Sequence, residues 1–202
     1  GAAHQRMDSA HARLVTKADS DSLLNLAISI DAYPVAGNKA LFKTSRNWLL
    51  RELQQQQRFL SSFAEVALVF DTPLNFLGGI RDRAAGIDVK KGGIFPIVHG
   101  VRVLAMQYQV AETNTYKRIE SLVKLGVLPQ RLGSELMESF TILQRFRLSH
   151  HLHQQEQKCS VEELDNHVNL GALDRLDKDL LRQSFQVVKD FKKHLSLRYR
   201  LG

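Results

Sequence analysis

Leu24, Leu26, Ile28 and Ile30 alternate with Asn25, Ala27 and Ser29, and this period of two predicts a strand closed by Asp31. Pro34 and Gly37 mark the turn after it. One strand forms no sheet alone, so partners are expected in the residues before it, around Arg81 to Val89, or outside this chain. The period then changes. Asn38 is a helix-capping residue type, and Phe42, Leu49, Leu53, Gln56, Leu60, Phe63, Ala67 and Phe70 follow on one stripe at steps of mostly three and four. The stripe predicts a single helix of roughly thirty residues, about 45 Å long at the usual rise. Asp71-Thr72-Pro73 stops it, and Gln54 to Gln57 form its polar middle.

Leu74 to Gly93 contains the pairs Gly78-Gly79 and Gly92-Gly93 and reads as loop with short strands. Helical spacing dominates from there on. Ile94, Ile97, Val98, Val101, Leu104, Ala105 and Tyr108 share one face. Thr113 or Thr115 opens a short helix through Ile119, Leu122 and Val123, with Gly126 suited to the position just past its end. Another begins at Pro129 and carries Leu132, Leu136, Phe140 and Leu143. Ser160 and Glu163 have capping-box spacing, and Leu181, Phe185, Val188, Phe191 and Leu195 mark a last amphipathic helix with a basic tail. The expected class is mainly α: an antiparallel helical bundle with one long N-terminal helix, plus a small β element ahead of it.

Charge and composition narrow the picture only a little. Lys plus Arg number 28 against 21 Asp plus Glu, an excess that suits nucleotides, nucleic acid or acidic proteins as well as plain solubility. Cys159 stands alone, so no internal disulfide forms and a cytoplasmic location is expected. The apolar run from Phe63 to Phe70 is interrupted by Glu65 and is far too short to span a membrane. Gly1 stands where an initiator Met is usual, which suggests a piece of a longer protein.

Candidate chemistry lies in three places. In Asp88-Val89-Lys90-Lys91-Gly92-Gly93, paired glycines and two lysines ahead of a helix suit a phosphate or carboxylate, or else make a lysine-bearing helix cap. The stripe of Leu136, Phe140 and Leu143 continues into Arg147, His150 and Gln154, polar groups that need partners: an anionic ligand, or a structural ion pair such as one with Asp88. Arg102 and Arg118 flank the apolar faces of their own helices. They could converge with Arg147 into one anion site, which helical spacing alone does not fix. His150 and His153 share a helix face, but two ligands without an acidic partner fall short of a metal site. Nucleotidyl transfer needs a Gly-Ser turn before an Asp-x-Asp pair on a strand. Asp19-Ser20-Asp21 and Asp177-Lys178-Asp179 have the spacing without that context, so no complete catalytic constellation is present.

The run Ile87-Asp88-Val89-Lys90-Lys91-Gly92-Gly93-Ile94-Phe95-Pro96-Ile97-Val98, followed by Val101-Arg102-Val103-Leu104-Ala105, resembles the nucleotidyltransferase substrate-binding domain family. Thr115 with Arg118, Arg147-Leu148 followed by His150, Asn166, and Leu180-Leu181 with Phe185 extend the resemblance over about Leu74 to Leu195. Members close bacterial signal-transduction proteins that also carry CBS or cyclic-nucleotide-binding domains and a transferase domain like that of the protein-PII uridylyltransferase. Upstream, Ile28 to Gly37 looks like the closing strand and turn of that transferase domain, with Tyr33 where the family commonly has Arg. On this reading residues 1–37 end a catalytic domain and Asp31 is its last acidic residue.

The resemblance implies that residues 38–202 form a helical domain that positions a nucleotide or protein substrate beside the transferase site. Asp88, Lys90, Lys91, Arg102, Arg118, Arg147, His150 and Asn166 would line the cleft. No cofactor is expected in this chain; Mg2+ and a nucleoside triphosphate belong to the catalytic domain of the full-length protein. The rival reading is a non-catalytic helical interaction (dimerisation) module, with those same residues as structural ion pairs. Nucleic-acid binding through the tail Lys189 to Arg200 rests on charge alone.

Overall fold

The apolar stripes close on one another as seven α-helices in a computed structural model that describes residues 20–81 and 85–201. They are α1 (Ser20–Asp31), α2 (Lys39–Gln54), α3 (Gln57–Glu65), α4 (Phe95–Gln107), α5 (Thr115–Lys124), α6 (Gln130–Glu156) and α7 (Arg175–Tyr199). The only sheet among the described residues pairs β1 (Ile87–Asp88) antiparallel with β2 (His167–Val168), Ile87 opposite Val168 and Asp88 opposite His167. The chain is therefore mainly helical. Asp19, in the first of the two Asp-x-Asp spacings, lies outside the described residues.

The strand expected over Leu24 to Ile30 is instead helix α1. Leu26 and Ile30, one helical turn apart, are 0% and 1% exposed, whereas Ile28 between them is 62% exposed. A strand would have turned all three to one face. The alternation was an accident of apolar residues filling both sides of a short helix.

The long helix expected from Asn38 is interrupted at Gln55 and Gln56. Its start is as expected: the Asn38 carboxamide oxygen accepts hydrogen bonds from the amides of Ala40 (3.0 Å) and Leu41 (3.2 Å). Leu49, Leu50 and Leu53 bury one face of α2, and Phe59, Leu60, Phe63 and Ala64 bury one face of α3. Between them Gln54 to Gln57 offer no apolar anchor. Gln56 leaves the helical region (φ −101°, ψ 79°), and the break lets both faces reach the core.

Elsewhere the signals correspond closely. Asn114 caps α5, and Gly126 ends it in the left-handed conformation (φ 68°), with the Val127 amide donating to the Leu122 carbonyl at 2.9 Å. The Ser160–Glu163 capping box forms, on a single 3-10 turn. In α7 Leu181, Phe185, Val188, Phe191 and Leu195 are all fully buried, each contributing roughly 1.5–3 kcal/mol of apolar burial. α6 and α7 pack along one another, with an Arg145–Asp177 ion pair of 2.8 Å on their exposed edge.

Close helix approach depends on glycine at a few positions. A Cβ on Gly100 of α4 would sit 2.5 Å from Leu195 Cδ1 and 2.7 Å from Phe191 Cε1 of α7. One on Gly93 would sit 2.8 Å from Leu143 Cδ1. The missing side chains thus let α4 and the turn before it lie against α6 and α7.

Candidate functional site

Six of the eight residues singled out in the sequence gather around the β1–β2 pair, and the other two meet elsewhere. The turn Lys90–Ile94, a π-helical step into α4, is organised by Asp88. One of its carboxylate oxygens accepts hydrogen bonds from the amides of Lys90 (3.0 Å) and Lys91 (2.8 Å). Both lysine side chains are exposed. Gly92 and Gly93 are buried, and a Cβ on Gly92 would sit 2.8 Å from Pro73. Gly92 packs on Pro73 and Gly93 on Leu143, while Asp88, Lys91 and Gly92 also line a pocket of about 300 Å3.

Backbone pairing links that turn to the residues after α6. The Val89 amide donates to the Asn166 carbonyl at 3.1 Å, which sets the Asn166 side chain against α6. Arg147 Nε donates to Asn166 Oδ1 at 2.7 Å. The pairing with Asp88 considered above is not made. The other guanidinium nitrogens of Arg147 have no hydrogen bond among the described residues. Three residues on, His150 Nε2 donates to Asp165 Oδ1 at 2.9 Å. Burial works to raise the Asp165 carboxyl, yet hydrogen bonds from the His167 amide and from His150 hold it below its ordinary value. Beside this group Gln144, Arg147, Leu148 and His151 line a shallow concavity of about 310 Å3, where the buried His151 Nε2 has no hydrogen-bond partner among the described residues.

Arg102 and Arg118 converge not with Arg147 but on Asp31 at the end of α1. Arg102 donates from Nε (2.9 Å) and Nη2 (2.7 Å) to Asp31 Oδ2, and Arg118 from Nη2 (2.5 Å) to Oδ1. Arg118 is 1% exposed and also donates from Nε to the Glu112 carbonyl at 2.7 Å. Burial alone would raise the Asp31 carboxyl, but the hydrogen bonds and charges of Arg118 and Arg102 leave it below its ordinary value. Asp31 is thus internally paired in this chain.

Two further members of this second cluster lie outside the sequence reading. Arg46 of α2 donates from Nη1 to the Ala111 carbonyl at 2.7 Å, while its buried Nε and Nη2 have no partner among the described residues. His99 of α4 donates from Nε2 to the Phe63 carbonyl at 2.8 Å and faces Arg102 Nη1 with Nδ1 at 3.4 Å. Burial pushes the His99 imidazole down to about 4, so the ring is neutral. The signal was present: Phe95, His99 and Arg102 follow at steps of four and three, a second face of α4 beside its apolar one.

No curated protein and no solved structure matches the chain. The family model described as "putative nucleotidyltransferase substrate binding domain" matches residues 57–199, a span that takes in all eight residues named above. The span covers well over half the chain, which therefore belongs to the family of putative nucleotidyltransferase substrate binding domains.

Proposed function

We propose that the chain is the substrate-binding and regulatory domain of a bacterial, cytoplasmic, CBS-associated signal-transduction protein, and that it positions a nucleotide or a regulatory protein beside a nucleotidyltransferase domain. The single observation that carries this beyond the family match is Arg147. Asn166 fixes one edge of its guanidinium at 2.7 Å and leaves the rest without an internal acceptor. A fixed guanidinium is suited to a phosphate or carboxylate, which it grips in two parallel hydrogen bonds. Gln144 and His151 line the same concavity and are further polar residues beside the guanidinium. On this reading Asp88, Lys90, Lys91 and His150 would belong to the same substrate cleft, with the exposed lysines adding positive charge. Mg2+ and the triphosphate would be held by the catalytic domain. The chain before residue 38 is the natural side for that domain to join, since α1 is tied down by Leu26, Ile30 and Asp31. An antiparallel bundle is supported by the Arg145–Asp177 pair, which joins the second half of α6 to the first turn of α7.

Thermal-shift measurements with nucleoside mono-, di- and triphosphates and Mg2+ test the reading. Saturable stabilisation by a nucleotide, lost in Arg147→Ala, is the expected result. Absence of any shift would refute the nucleotide arm and leave the protein substrate. A second reading, a dimeric interaction module, is favoured by Leu148 and Leu152, which are 60% and 52% exposed one turn apart on α6. A stable dimer in sedimentation that Leu148→Glu dissolves, without nucleotide stabilisation, would favour it.

A further inference from the structure

A pocket of about 710 Å3 opens between α1, α3 and α4, and it shares no residue with the Arg147 concavity. Ala27, Ile28, Phe63, Val66, Val69 and Phe95 make its walls apolar, and Asp31, His99 and Arg102 lie at its polar end. Its size and its apolar walls with a few convergent polar groups are those of a small-molecule site.

The polar end has a specific pattern. Arg102 uses Nε and Nη2 on Asp31, so Nη1 remains as a donor, engaged only by the long 3.4 Å approach to His99 Nδ1. Asp31 Oδ2 takes both Arg102 bonds, whereas Oδ1 takes one, from Arg118, and keeps a lone pair. His99 has both ring nitrogens occupied and serves to hold Arg102. The pocket therefore presents one donor beside one acceptor, on a cluster in which Asp31 answers both Arg102 and Arg118. A carboxylate or an ammonium ligand would meet one favourable and one repulsive partner there. An uncharged ligand edge with a donor next to an acceptor would satisfy both.

We infer that this pocket binds an uncharged planar heterocycle of the nucleobase type, its ring against the apolar walls and its donor–acceptor edge on Asp31 Oδ1 and Arg102 Nη1. This site is separate from the one proposed for Arg147. The ligand contributes flat apolar area of the kind the walls accept, and the two polar contacts select its edge. A ligand lacking that edge would leave Arg102 Nη1 and Asp31 desolvated without partners, which disfavours simple hydrocarbons.

The test uses nucleosides, which carry the edge but no phosphate. Adenosine, guanosine, cytidine and uridine are titrated into the full chain by calorimetry and by ligand-observed NMR. At least one should bind saturably. Val69 is 67% exposed, so Val69→Glu should fold normally and weaken binding at least tenfold by placing a carboxylate in the pocket. Ile28→Glu, at a position 62% exposed, does the same from the opposite wall and covers any folding defect of the first variant. Arg147→Ala should leave nucleoside affinity unchanged. Absence of saturable nucleoside binding, or equal affinity in both wall variants, overturns the inference. If binding needs a phosphate and is lost only in Arg147→Ala, the function proposed above stands and this inference falls. Nucleoside binding lost in the wall variants, with no nucleotide response dependent on Arg147, gives the reverse result.

Discussion

Arg118 and Asp31 meet across 87 residues of sequence, Nη2 to Oδ1 at 2.5 Å, and the arginine in that pair is 1% exposed. A buried guanidinium with no carboxylate is among the costliest defects a core can carry. Asp31→Asn keeps the shape of the site and removes the charge. It should lower the unfolding free energy by about 3 kcal/mol, toward the lower end for a broken buried pair because Asp31 itself is partly exposed. Urea denaturation followed by circular dichroism measures it. A loss below about 0.5 kcal/mol, the usual range of a surface substitution, would show that the pair does not anchor α1.

The neutral His99 makes stability depend on pH in a defined window. Its folded value, about 4, lies below the ordinary 6.5, so between the two the unfolded chain binds a proton that the folded chain refuses. The stabilisation is complete above 6.5 and is lost as pH falls toward 4. The slope attributable to this group is about 1 kcal/mol per pH unit. Comparing wild type with His99→Gln at pH 7, 6 and 5 isolates it. The variant should show a shallower decline over that interval, and parallel curves would assign the dependence to other groups.

Gly100→Ala reverses the usual expectation for an exposed helix. Alanine normally gains about 1 kcal/mol over glycine inside a helix. Here the new methyl would stand 2.7 Å from the rigid Phe191 ring and 2.5 Å from Leu195. Overpacking of this kind costs about 1–3 kcal/mol. A net lowering of the melting temperature is expected, and a rise would mean that α4 and α7 can separate without penalty.

Asn166→Ala leaves Arg147 in place but removes the acceptor that orients it. Loss of this partly exposed hydrogen bond is expected to cost about 1 kcal/mol or less. Nucleotide-dependent stabilisation should fall by more than the change in stability of the ligand-free protein. Equal effects on both would make Asn166 a structural residue alone.

Where long stripes of apolar residues repeat every three or four positions, the fold was legible in advance. α7 is the clearest case, with all five marked residues buried, and the caps at Asn38 and Gly126 are where local chemistry places them. The strand misreading at Leu24 to Ile30 has a definite cause: over seven residues, apolar side chains at every second position also satisfy i, i+4 spacing through Leu26 and Ile30. The break at Gln55–Gln56 was hidden because the stripe resumes in phase on the far side. The site was legible as a set of residue types but not as a set of partners. Arg102 and Arg118 were marked as charges beside apolar faces, and only the packing of α1 reveals that they share Asp31. Arg147 and Asn166 stood together because a two-residue ladder brings them into contact, and no periodicity encodes such a pairing.

That ladder closes a loop of roughly eighty residues with only two paired positions. Long closures form slowly relative to helices because the ends must find each other before any bond repays the lost entropy. The helices between β1 and β2 can dock first through their own local contacts, and the Ile87–Val168 clasp then shuts over them. Amides at Val89 and His167 should accordingly exchange with solvent through small openings that leave α7 protected.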